Sequence, residues 1–146
     1  MLPRLAKSVS APTSATSASS PGILIADDES AILDFLRRGL GLYGFTVWTA
    51  KNGKEAIEIY KANRQDIAAV LLDVLMPDQD GPSTLGLLRT IDPDVRCCFM
   101  SGDLGRYTQD ELLAGGAAHV LFKPFPLSEV AQVLQLMASG YETRVA

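Results

Sequence analysis

Five short apolar runs set the limits on what this chain can become: Ile23–Ala26, Phe45–Thr49, Ala68–Leu72, Cys97–Met100 and Val120–Phe122. Apolar runs of roughly 4–6 residues, bounded by polar or Gly/Pro residues, suit strands buried on both faces. The segments between them have helical spacing. Ser30–Leu42 is predicted to turn Ile32, Phe35, Leu36 and Leu40 to one face and to end at Gly41 and Gly44. Lys54–Ala62 offers Ala56, Ile59 and Tyr60, while Pro82–Thr90 follows Gly81 and presents Leu85 and Leu88. Thr108–Ala114 is short and stops at Gly115–Gly116, and Ser128 is the expected cap of a last helix that faces Val130, Leu134 and Met137 inward. Strands alternating with helices imply a parallel sheet covered on both faces, with right-handed crossovers. The expected fold is α/β, a flavodoxin-like doubly wound sheet of five parallel strands in the order 2-1-3-4-5 with five helices.

Composition agrees with one folded unit. The chain has 146 residues, 47% hydrophobic and 21% charged, which suits a globular domain with its own core. No apolar run approaches the ~20 residues of a membrane helix. A net charge of −4 gives no support to direct nucleic-acid binding. The segment 1–22, rich in Ser, Ala, Thr and Pro, reads as a disordered tail, ahead of an organellar transit peptide, which its acid-poor composition faintly resembles. Residues 23–139 read as the domain and 140–146 as a short C-terminal tail, too short for a DNA-binding output domain. Cys97 and Cys98 are adjacent, so on a strand they point to opposite faces and do not pair, which fits a reducing, cytoplasmic setting. His119 is the single histidine, which excludes histidine-cluster chemistry.

Ligands of open parallel sheets bind beyond the carboxyl ends of the strands, at the switch in strand order. In the order 2-1-3-4-5 that point lies between the first and third strands. Asp27 and Asp28 follow the first strand, Asp73 ends the third, Ser101 the fourth and Lys123 the fifth. Three carboxylates in one cleft stay ionised together only beside a cation. Oxygen-only ligands suit a hard ion such as Mg²⁺. Lys123 and the hydroxyl of Ser101 are suited to phosphate-like oxygens, and a carboxylate in such company can accept a phosphoryl group.

The motifs Asp27–Asp28–Glu29, Asp73–Val74–Leu75–Met76–Pro77 running on to Gly81, Ser101–Gly102 and Lys123–Pro124–Phe125 resemble, in order and spacing, the receiver domain of two-component response regulators. The resemblance spans Ile23 to about Ser139. It implies that Asp73 is the phosphoacceptor, fed by a sensor histidine kinase or a histidine phosphotransfer protein. It further implies Mg²⁺ held by Asp28, Asp73 and the backbone carbonyl of Leu75, with Asp27 acting through metal-bound water, and Ser101 and Lys123 on the phosphoryl oxygens. A cis Lys123–Pro124 peptide is implied as well. Such a protein signals through phosphorylation-dependent contacts with another protein and is a self-modifying phosphoacceptor, not a turnover enzyme.

Taken one at a time, these residues have plainer roles. Asp27 and Asp28 could cap the first helix, as Ser30 alone could; Ser101–Gly102 could be an ordinary turn. Asp78, Asp80 and Gly81 read as turn and cap residues, Trp48 as packing in the second strand, and His119 as the start of the fifth. Asp73 in an apolar run is costly without a function. One departure stands out: Val120 occupies the place where the family usually has Tyr or Phe as its switching ring. Leu75, two residues after Asp73, cannot orient water as a polar side chain there could, and Asp103 is the remaining candidate for that task. Three other readings rank lower. A constitutive docking domain would not need the intact acidic site. An aspartate-nucleophile phosphatase would carry an Asp where Leu75 stands. A flavodoxin would follow its first strand with a hydroxyl-rich loop.

Overall fold

The computed structural model describes residues 20–140; the tail readings for 1–19 and 141–146 lie outside the described residues. Five strands, β1 (Gly22–Ala26), β2 (Thr46–Ala50), β3 (Ala69–Asp73), β4 (Cys97–Ser101) and β5 (His119–Phe122), form one parallel sheet in the order β2-β1-β3-β4-β5. Five helices connect and follow them: α1 (Ser30–Leu42), α2 (Gly53–Asn63), α3 (Gly81–Ile91), α4 (Gln109–Ala114) and α5 (Leu127–Ala138). The expected fold class is the one observed.

Strand alternation divides the core into two layers. Leu24, Val70, Leu72, Cys97 and Phe99 face α2, α3 and α4, where they meet Ala56, Tyr60, Leu85, Leu88 and Leu112. Ile23, Ile25, Leu71, Cys98 and Met100 face α1 and α5, meeting Leu36, Leu40, Val130, Leu134 and Met137. Cys97 and Cys98 thus lie on opposite faces, both free and buried. Burial pushes the Cys97 thiol up to about 12 and that of Cys98 well above its usual value, so both are inert as thiolates.

Several expectations need correction. On α1, Leu33 packs inward while Phe35 is 48% exposed, because the helix is rotated to seat Leu33, Leu36 and Leu40 on the sheet. Ser30 is the first helical residue; Glu29 is the cap, and its N–H is taken by Asp27. Ser128 does not cap α5, since Pro126 holds that position and the helix begins at Leu127. Proline has extended backbone there (φ −68°, ψ 141°) and needs no donor of its own. Phe45 is not in β2; its N–H closes the end of α1 on the carbonyl of Leu40 and its ring is buried. The ordered fold starts before the tail boundary set at residue 22: Gly22 opens β1, and the Pro21 carbonyl accepts from Thr46 N at 2.9 Å. Trp48 packs against the core from β2, and His119 opens β5, both as expected.

Candidate functional site

Register decides which side chains meet. Ala26 pairs with Leu72, so the next residues come side by side at the carboxyl edge of the sheet, Asp27 just beyond β1 and Asp73 as the last residue of β3. Asp73 pairs with Met100, which sets Ser101 one step further out, and Lys123 N bonds the Ser101 carbonyl at 2.8 Å. The five sequence-predicted polar residues therefore share one rim at the carboxyl ends of the strands.

Asp27, Asp28 and Asp73 each offer a carboxylate oxygen, and these oxygens lie within 4.8 Å of one another. Asp27 and Asp73 are buried and Asp28 is exposed. Both oxygens of Asp27 are engaged: Oδ1 accepts from Glu29 N at 2.8 Å and Oδ2 from Lys123 Nζ at 2.8 Å. The Lys123 ammonium stands 3.6 Å from Asp73 Oδ2 and 3.5 Å from Glu29 Oε1. Its closest partner is thus Asp27, which holds it beside Asp73. Desolvation, and then the neighbouring charge of Asp27, pushes the Asp73 carboxyl from 3.8 up to about 7, against the pull of Lys123. Burial works to lower the Lys123 pKa, but the bond to Asp27 and the charges of Asp73 and Asp27 carry it above its usual value. This donor set has a surplus of negative charge, offers no sulfur or imidazole, and fits a hard divalent cation.

Ser101 is buried at the end of β4. Its hydroxyl donates to the Asp103 carbonyl at 2.5 Å and accepts from Asp103 N at 2.9 Å, closing a tight turn. Asp103 itself points into the loop, where Oδ1 accepts from Gly105 N at 2.8 Å. Leu75 is 40% exposed on the rim, and its side chain lies under Gly105, where an added Cβ would stand 3.0 Å from Leu75 Cδ2. Val120 is half-buried in the layer facing α4. The Lys123–Pro124 peptide is cis.

Three features of the rim were not legible beforehand. Glu29 contributes a second carboxylate to Lys123. Gly81 is more than a turn residue: a Cβ there would stand 2.5 Å from the Asp73 carbonyl oxygen, so α3 can start this close to Asp73 only on glycine. Asp80 caps α3 through Ser83 N, as a cap residue should, but its other oxygen accepts from the Tyr107 hydroxyl at 2.7 Å. A Tyr six residues beyond a strand end carries no sequence signal for that bond.

Comparison with known proteins places this rim in a family context. The family profile described as "Response regulator receiver domain" matches residues 23–135. The transcriptional regulatory protein PrrA of Mycobacterium tuberculosis is 44% identical over 126 residues, covering 84% of this chain and 52% of that protein. The sensor kinase CckA of Brucella abortus is 34% identical over 119 residues, 79% of this chain but 12% of that protein. The chain thus spans about half the length of PrrA and a small part of CckA. Among solved structures, a response regulator receiver domain protein from Clostridium thermocellum superposes with a TM-score of 0.74 at 28% identity, covering 81% of this chain and 94% of that one. A chain of the CheX–CheY–BeF3–Mg²⁺ complex of Borrelia burgdorferi gives 0.72 at 29% identity, covering 78% of this chain and 86% of that one.

Proposed function

This chain belongs to the response regulator receiver domain family of two-component signalling, and on that premise we propose that Asp73 accepts a phosphoryl group from the phosphohistidine of a sensor kinase or phosphotransfer protein. One observation carries the reading: a buried Asp73 with Asp27 and Asp28 within 4.8 Å and the Lys123 ammonium at 3.6 Å. In the transfer, an Asp73 carboxylate oxygen forms a bond to phosphorus as the bond to the donor imidazole nitrogen breaks, its electron pair staying on that nitrogen.

Each neighbour has a task. Asp28 and Asp73, with the Leu75 carbonyl, would hold Mg²⁺, and Asp27 would act through a bound water, since both its oxygens are already engaged. When bound, the cation screens the phosphoryl oxygens from the carboxylates they approach. Lys123 is kept charged at the rim by Asp27 and moves its ammonium to a phosphoryl oxygen. Ser101 donates its hydroxyl proton to another.

The modified Asp73 is the product, so the protein is a phosphoacceptor that loses its phosphate by hydrolysis and not a turnover enzyme. Its output is a phosphorylation-dependent contact with another protein. We place it in the cytoplasm, where kinases of this kind present their phosphohistidine; among the described residues no helix is long and apolar enough to cross a membrane. Intact mass after incubation with acetyl phosphate and Mg²⁺ tests the reading. Wild type should gain one phosphoryl group and Asp73→Asn none; equal gain by both would overturn it.

A further inference from the structure

The loop between β4 and α4 is tied to the rest of the molecule by bonds with different reach. At its start, the single proton of the Ser101 hydroxyl is committed to the Asp103 carbonyl. In its middle, Gly105 (φ +62°) crosses over Leu75. At its end, the Tyr107 hydroxyl donates to Asp80 Oδ2 at 2.7 Å, while Arg106 lies 5.0 Å above the Tyr107 ring and donates to the same hydroxyl at 3.0 Å. The Tyr107 ring also borders a groove of about 270 Å³ between α3 and α4, with Pro82, Leu85, Phe99 and Leu112. The far end of α4 is pinned separately: Arg89 of α3 donates to the carbonyls of Gly115 and Gly116 at 2.9 and 3.0 Å. So α4 is tied to α3 at both ends, and only the Tyr107 tie is continuous with Ser101.

We propose that Tyr107 is a positioning residue for phosphoryl capture: its bond to Asp80 latches the β4–α4 loop in the arrangement that withholds the Ser101 proton, and capture of the phosphoryl group releases the latch. The inference rests on the phosphoacceptor reading of Asp73. A hydroxyl has one proton, so Ser101 cannot donate to a phosphoryl oxygen while donating to Asp103. Giving up that bond opens the turn at Asp103, and the strain passes along five residues whose most permissive link is Gly105. The latch at the far end resists the shift, because it is a bond to a carboxylate and stronger than a neutral one. Tyr107 thereby supplies the mobile ring that Val120, with one restricted torsion, does not. Its partner Asp80 caps α3 seven residues after Asp73, so release changes the contact between α3 and the start of α4, the surface a partner protein would read.

Beryllofluoride, which with Mg²⁺ occupies the phosphoryl position on an aspartate, is the probe. Removing the Tyr107 hydroxyl while keeping its ring should favour the captured state, so Tyr107→Phe should bind beryllofluoride more tightly than wild type by roughly ten-fold or more, the worth of one hydrogen bond to a carboxylate. Its unliganded segment 102–107 should exchange amide hydrogens faster, with β5 unchanged. Arg89→Lys loosens the other tie and should leave beryllofluoride affinity unaltered even where it lowers Tm, which separates a latch from a general loss of rigidity. In wild type labelled with 3-fluorotyrosine, the Tyr107 resonance, assigned by its absence in Tyr107→Phe, should shift on adding beryllofluoride. Equal or weaker binding by Tyr107→Phe, or an unmoved Tyr107 resonance in wild type that has bound the probe, overturns the latch alone. Wild type that does not bind beryllofluoride at all overturns the phosphoacceptor reading, and the latch with it.

Discussion

The two sides of the rim are built to different standards. On the β1–β3 side, Asp27 and Asp73 continue strands whose residues are all buried, and their backbones are locked by register and by the Asp27 N–H bond to Ala50 at 3.1 Å. On the β4–α4 side, Ser101 is the last buried residue before a loop of mostly exposed ones, held by a few side-chain bonds. Charge chemistry needs fixed carboxylates, because a small displacement changes how they share a cation. Signalling needs an element with two arrangements of similar free energy, which a loop tied by a few breakable bonds provides and a buried strand does not.

That contrast can be broken in order of expected effect. Asp73→Asn on the fixed side should abolish phosphoryl uptake outright by intact mass, while Tyr107→Phe on the mobile side should still be modified; uptake by the first or its loss in the second would dissolve the distinction. For stability, Leu72→Ala beside Asp73 should cost about 2–5 kcal/mol in urea unfolding as a fully buried large-to-small change. Leu104→Ala in the loop should cost about 1 kcal/mol or less. Similar costs would mean the loop is as firmly packed as the strand.

A third outcome concerns pH. Folding raises the Asp73 pKa from 3.8 to about 7, so the folded protein holds a proton that the unfolded chain releases. Without metal, this group's contribution to stability is therefore fully present below about pH 4 and lost as pH rises through 7. In metal chelator, the Tm of wild type should fall relative to Asp73→Asn between pH 5 and pH 8, and Mg²⁺ should close the gap most at pH 8. A gap independent of pH would show that Asp73 is not under charge stress. The smallest effect is kinetic: Leu75→Asn places a polar side chain at the mouth of the site and should speed loss of phosphate by roughly three-fold to ten-fold, below the ~10²–10⁴-fold of a true acid–base group because an amide orients the attacking water without taking its proton. Unchanged or slower loss would assign Leu75 only to supporting Gly105.

The elements were legible in the chain because each has a local cause. Short apolar runs cannot span a helix's length, Gly44 and Gly116 supply the positive φ that ends α1 and follows α4, and Asp80 caps α3 by its own side chain. What failed locally was rotation and exact start. Phe35 and Leu33 are both apolar on α1, and only the sheet beneath the helix selects Leu33. Ser128 is a good cap by type, yet Pro126 takes the position because the chain leaves β5 in an extended path that only the fold defines.

By itself, then, the sequence determined an alternating α/β chain with its acids, hydroxyl and lysine at strand ends, since strand and helix periods and the placement of charge are properties of neighbours in the chain. Only the tertiary structure decided that Lys123 is held by Asp27 and Glu29 while standing 3.6 Å from Asp73, that the Ser101 proton is spoken for by Asp103, and that Tyr107 reaches Asp80. These contacts join residues up to 96 apart or cross from one loop to another. No local rule selects among the partners such side chains could find; strand register and the burial of both core layers leave each of them one within reach.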